Sequence, residues 1–117
     1  MRAVVRGFMS PDADLDVWVP QNPADFGILV RVTAGPVGGI GDESFDLIVC
    51  TPRWVEAWIR QNGPLIGRHH LLVAEWNFDE VRDFLTRSIQ DAEAPTWSEL
   101  GEKLGRLGKW EFEDYRP

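Results

Sequence analysis

One cysteine, Cys50, stands in a chain of 117 residues, so no disulfide can close within it. A disulfide framework is excluded, and a reducing compartment is the expected setting. Histidine is nearly as scarce: only the adjacent His69 and His70 occur. Neighbours on a strand point to opposite faces, and no helical His-x-x-x-His is present, so a zinc site has no ligand set. Positive charge is also short, with 12 Lys and Arg against 19 Asp and Glu, a formal net charge of −7. Such a field repels phosphates, so direct binding to DNA or RNA is disfavoured. No stretch approaches the roughly 20 apolar residues of a membrane span. The opening residues 1–7 carry no apolar run of secretory-signal length. These absences predict a cytoplasmic protein without metal, cofactor, membrane or nucleic acid.

What is present is globular. Hydrophobic residues make up 44% and charged residues 26%, which is the composition of a packed domain rather than a disordered one. Six tryptophans are the unusual holding. Each can bury on the order of 200 Å², so a few suffice to organise a small core, and one or two are available for recognition. Length and composition predict a single domain over residues 1–117.

Periodicity places the elements. Residues 2–10 read as a strand, and 10–25 as a loop carrying Pro11, Pro20 and Pro23 with the alternation Asp12, Asp14, Asp16. In 26–34, Ile28, Val30 and Val32 alternate with Leu29, Arg31 and Thr33, a strand pattern. A glycine-rich turn over 35–42 leads into a strand at 44–50, the simplest pairing being an antiparallel hairpin. Thr51-Pro52 opens a helix, with Thr51 as cap and Pro52 where a missing N–H costs nothing. Trp54 and Trp58 share one face of it beside Val55 and Ile59, and Gly63-Pro64 ends it. The apolar run Leu71–Ala74 reads as a strand over 70–76, central in the sheet. Asn77 caps a helix striped by Phe78, Val81, Phe84, Leu85 and Ile89, with Asp83–Arg87 and Arg87–Asp91 spaced as ion pairs on its wet face. Thr96 caps a third, with Trp97, Leu100, Leu104 and Leu107 facing inward and Gly108 closing it. Gly101 and Gly105 cost about 1 kcal/mol each against alanine inside a helix, which calls for close approach by a neighbour. In the tail, Trp110 and Phe112 alternate with Glu111 and Glu113 at strand spacing, so aromatics can dock on a core and display acid outward. The order β-β-β-α-β-α-α, with a final edge strand, predicts an α+β domain: an antiparallel or mixed sheet of four to five strands covered by about three helices.

The search for chemistry is short. The glycines at 35–41 are followed by Asp42-Glu43 and a strand, whereas a phosphate loop leads into a helix, so a hairpin turn is the reading. Cys50 precedes a helix N-terminus, where a thiol can be activated, but its strand position suits a buried small residue. An enzyme or ligand-binding pocket joining Cys50, Arg68 and His69 or His70 is the alternative function. A deep polar pocket linking them would support it, and a filled interior would oppose it. Asp12, Asp14 and Asp16 lack the glycine and terminal glutamate of a calcium loop, leaving a solvated acidic loop or a docking surface for a basic partner.

Several short segments together carry a resemblance: Phe26-Gly27, Gly35-Pro36, Ser44-Phe45-Asp46, Val49-Cys50-Thr51-Pro52-x-Trp54, Gly67-Arg68-His69-His70, Trp97 and Trp110-Glu111-Phe112-Glu113-Asp114-Tyr115. In this order the chain resembles the immunity protein 8 family of bacterial polymorphic toxin systems over its whole length. The resemblance implies a non-enzyme that binds and neutralises a cognate toxin domain, with no catalytic residue to carry over. Arg68 is the motif position least suited to a core, and an ion pair with a carboxylate is expected for it. Charge adds an independent expectation. An acidic inhibitor is drawn to a basic partner such as a nuclease, and the candidate contact residues are Asp12, Asp14, Asp16, Asp42, Glu43, Glu111, Glu113 and Asp114.

Overall fold

The computed structural model describes residues 1–113. Its elements are β1 (Ala3–Met9), β2 (Gly27–Pro36), β3 (Glu43–Cys50), α1 (Pro52–Asn62), β4 (His70–Leu72), α2 (Phe78–Gln90), α3 (Trp97–Leu104) and β5 (Lys109–Trp110). They form one mixed five-stranded sheet with three helices, an α+β arrangement. β1, β2 and β3 run antiparallel in sequence order. The outer edge of β3 is then shared. β4 pairs parallel with it through Ile48, Val49 and Cys50, and β5 pairs antiparallel at Phe45 and Asp46.

Alternation sets the layers. Ile28, Val30, Val32 and Ala34 of β2 and Phe45, Leu47 and Val49 of β3 are buried on one face. There they meet Val81, Leu85 and Ile89 of α2 and Leu100 and Leu104 of α3 in one hydrophobic core. Gly27 and Cys50 lie opposite one another on the other pleat, and Trp54 of α1 packs onto Gly27, where a side chain would strike the indole. α1 therefore covers the other face at one end only, and none of its residues is buried. Thr51 is the anchor: its Oγ1 accepts from Trp54 N at 3.4 Å, capping the helix, and from Phe26 N at 3.2 Å, tying helix to β2. Asn77 and Thr96 cap α2 and α3 in the same way, through Glu80 N and Glu99 N. An aromatic group formed by Trp18, Phe26, Trp76 and Phe78 closes the end of the core near the acidic loop, with edge-on contacts at 4.8 to 5.8 Å among the first three.

Four local expectations change. The run 70–76 yields only a three-residue strand, and it lies at the sheet edge rather than its centre, with Leu72 57% exposed. After Cys50 O takes Val73 N, the chain leaves the ladder and Trp76 N donates to Pro23 O. α3 stops at Leu104 with Gly105 as cap, before Gly108, because Gly108 packs against Phe45. The tail is a strand for two residues and then a turn, closed by Glu113 N on Trp110 O. On α2, Phe84 stays 45% exposed. Arg82, not Arg87, makes its ion pairs, to Asp79 and Asp83, while Arg87 Nε donates to Asp83 O.

Candidate functional site

The expected acidic residues fall into two groups on opposite sides of the hairpin. Asp12, Asp14 and Asp16 follow β1, and their carboxylates are exposed around the buried Leu15. Asp14 shapes this loop, its Oδ1 accepting from Asp16 N at 3.0 Å and its carbonyl from Val17 N and Trp18 N. Glu43 opens β3, and Glu111 and Glu113 lie beyond it, beside β5. Strands β2 and β3 intervene, which separates β1 from β5 by three strand spacings, roughly 14 Å. Asp42 is exposed at the hairpin turn. Asp114 lies outside the described residues.

The second group is built into the molecule. Glu43 Oε2 accepts from two indoles, Trp97 Nε1 at 2.6 Å and Trp110 Nε1 at 3.0 Å. Glu111 Oε1 accepts from Ser44 N at 2.8 Å, and Glu111 N donates to Ser44 O, so the tail is stitched to the start of β3. Glu113 Oε1 takes Arg68 at 2.6 Å, the ion pair expected for that arginine. His69 stands beside them, with positive φ, its Nε2 2.7 Å from Gly105 O and 3.9 Å from Glu113 Oε1. Trp110 stacks on Phe45 with 9° between ring planes, and Phe112 meets it edge-on at 5.8 Å. The segments around Ser44, Arg68, Trp97 and Trp110, far apart in sequence, thus converge on one region.

Between α3 and this tail lies a cleft of about 680 Å³. Gly101 and the cap Gly105, spaced one helical turn apart after Trp97, leave this side of α3 without bulk, and the Trp110 indole fills the space against Gly101. Among the described residues, Glu43, Glu102 and Glu113 supply three carboxylates to its lining and Arg68 the one basic side chain. Lys103, on the same helix, reaches away to donate to Glu93 O at 2.6 Å.

The alternative constellation does not assemble. Cys50 is fully buried, and burial pushes its thiol up to about 11. That is the reverse of activation. His70 leans on Trp54, its Nδ1 3.1 Å from Gly67 O, while His69 faces Gly105. Among the described residues, four surface clefts are lined by neither Cys50 nor a histidine. No group of three or more His, Cys, Asp or Glu is placed there to hold a metal ion, and no helix is long and apolar enough to cross a membrane.

Fold and surface together define a small α+β domain in which Glu43 caps the aromatic framework, Asp46, Glu111 and Glu113 pair with arginine or backbone, and the Asp12 loop faces solvent. The chain belongs to the Immunity protein 8 family, whose family model matches residues 3–115. Neither a curated protein nor a solved structure matches it.

Proposed function

We propose that this chain is a stoichiometric inhibitor that binds a cognate bacterial toxin domain in the cytoplasm of the producing cell and neutralises it without chemistry of its own. The family assignment over residues 3–115 carries this reading. The net charge of −7 supports a basic toxin, with a nuclease the class that charge suits best. Asp12, Asp14, Asp16 and Asp42 are exposed and free to steer association, whereas Glu43, Glu111 and Glu113 offer their carboxylates from a framework already held rigid. Desolvated aromatic and carboxylate anchors would then set the lifetime of the complex.

Co-expression with the toxin gene adjacent to this one is the direct test, scored by rescue of growth and by co-purification. Growth arrest that persists despite full expression of soluble inhibitor would refute the proposal. The electrostatic part has its own measurement. Association should slow as ionic strength rises, and Asp12→Asn, Asp14→Asn and Asp16→Asn combined should lower the on-rate about 3- to 10-fold at low salt. An on-rate indifferent to salt would remove that part and leave the inhibitor role standing.

A further inference from the structure

We infer that the cleft between α3 and the β5 tail is the contact point for one basic side chain of the toxin, an arginine. The inference rests on the toxin-binding reading above and names where and by what chemistry that contact is made.

Three features select a guanidinium. First, the described lining is acidic in excess, with Glu43, Glu102 and Glu113 against Arg68. Arg68 is already spent on Glu113 at 2.6 Å, so it does not offset the other two carboxylates. Second, the Glu43 carboxylate is oriented from behind. Both indole N–H groups converge on its Oε2, at 2.6 and 3.0 Å, and leave Oε1 with no hydrogen-bond partner among the described residues. That side chain is not buried without partners, so its remaining oxygen is reachable from solvent. A carboxylate held in one rotamer by two donors loses little freedom on meeting a cation. Third, the walls are aromatic. Trp97, Trp110 and Phe112 border the cleft, and rings beside carboxylates suit the flat, weakly hydrated guanidinium better than a compact ammonium.

The cleft, at about 680 Å³, also has ample room to admit a long side chain. Gly105 leaves the α3 side low beside Glu113, and Trp110, stacked on Phe45 and seated against Gly101, makes a stiff wall. Burial of arginine in a pocket formed by tryptophan and carboxylate is the chemistry from which interface hot spots are made. The alternative acidic surface, the Asp12 loop, borders a smaller cleft of about 220 Å³ whose described lining includes no tryptophan, and its exposed carboxylates suit steering rather than anchoring.

The experiment uses the full chain and the catalytically inactivated toxin domain encoded beside it. Glu43→Gln keeps an amide oxygen for the two indoles and removes the charge. Glu102→Lys places the protein's own cation in the cleft, and the Glu102 side chain has no hydrogen bond or ion pair to lose among the described residues. Each should weaken binding by about tenfold or more, mainly through faster dissociation, with the thermal unfolding midpoint checked alongside. Replacement of toxin arginines by alanine one at a time should reveal one whose loss no longer matters in the Glu43→Gln background. Addition of argininamide should move the Trp97 and Trp110 indole N–H resonances of the free inhibitor, and glycinamide should not. If the wild-type complex forms and folded Glu102→Lys binds as tightly as wild type, the cleft assignment is wrong and toxin neutralisation stands. If wild type forms no complex but argininamide moves both indoles, the pocket chemistry stands and the toxin reading falls. Still indoles with argininamide, together with unimpaired binding by both variants, would overturn the inference entirely.

Discussion

At the scale of single residues, glycine and cysteine make the clearest tests. Alanine at an exposed helical glycine ordinarily gains about 1 kcal/mol. At Gly101 the new methyl would lie 2.6 Å from Trp110 Cζ2, on a rigid ring pinned by Phe45, and overpacking of this kind costs about 1–3 kcal/mol. Gly101→Ala should therefore lower stability in a denaturant titration. Gly105→Ala meets the carbonyls of Glu102 and Gly101 in its own turn at 3.2 and 3.3 Å and Glu113 Oε1 at an ordinary 3.7 Å, with φ of −61°, so it should be near neutral. For Cys50 the sign follows from burial. Its thiol rises from an ordinary 9.0 to about 11, so the native state keeps a proton that the unfolded chain has released. The contribution is intact below pH 9 and fades as pH climbs towards 11, by of order 2 kcal/mol. Unfolding titrations at pH 8 and pH 10.5 on wild type and Cys50→Ala would show it, the variant lacking this slope. A thiol reagent at neutral pH should modify Cys50 far more slowly in the native protein than in the unfolded one.

At the scale of elements, the caps decide where helices begin. Thr51 holds two backbone N–H groups at once, Trp54 and Phe26, and is fully buried. Thr51→Ala should cost about 1–3 kcal/mol and Thr51→Ser much less, readable from shifted denaturation midpoints. These signals were legible in the sequence because capping is local. The side chain and the N–H it serves are three residues apart for Thr51, Asn77 and Thr96 alike. The β2–β3 hairpin was legible through its alternation, and Gly38 and Gly41 with positive φ supply its turn. The position of β4 was not. Leu71, Leu72 and Val73 are apolar enough for a central strand, yet the chain departs to join Trp76 to the Trp18 and Phe26 rings, a long-range packing choice that no window of sequence contains. The cleft was equally hidden. Glu43 reads as one acidic residue in a turn, and its tryptophan partners stand 54 and 67 positions away. The scarcity of bulk at Gly101 and Gly105 was the one visible hint, and it pointed to a close neighbour without saying that the neighbour was an indole.

At the scale of the whole molecule, charge and architecture divide the labour. The exposed carboxylates beyond β1 set a long-range field, while those at the start of β3 and beside β5 are fixed in place by tryptophan, arginine and backbone partners. Their separation across the hairpin predicts separable effects: neutralising the Asp12 loop should change association rates, and altering the α3 cleft should change dissociation rates, both measurable by stopped flow at fixed salt. The shared edge of β3 has one more implication, concerning which part of the molecule opens first. β5 is joined by two ladder residues and the Glu111–Ser44 contacts, against eight paired positions between β2 and β3. Its amides should exchange with deuterium through local opening, well ahead of the β2–β3 ladder, which should open only when the whole domain unfolds. Once lifted, the tail would uncover the backbone of Phe45 and Asp46 as a vacant strand edge, the kind of template on which a second chain can register. Capture of the tail by a toxin would then do more than bind: it would lock that edge shut, and slowed exchange at Glu111 in the complex is the signature to look for.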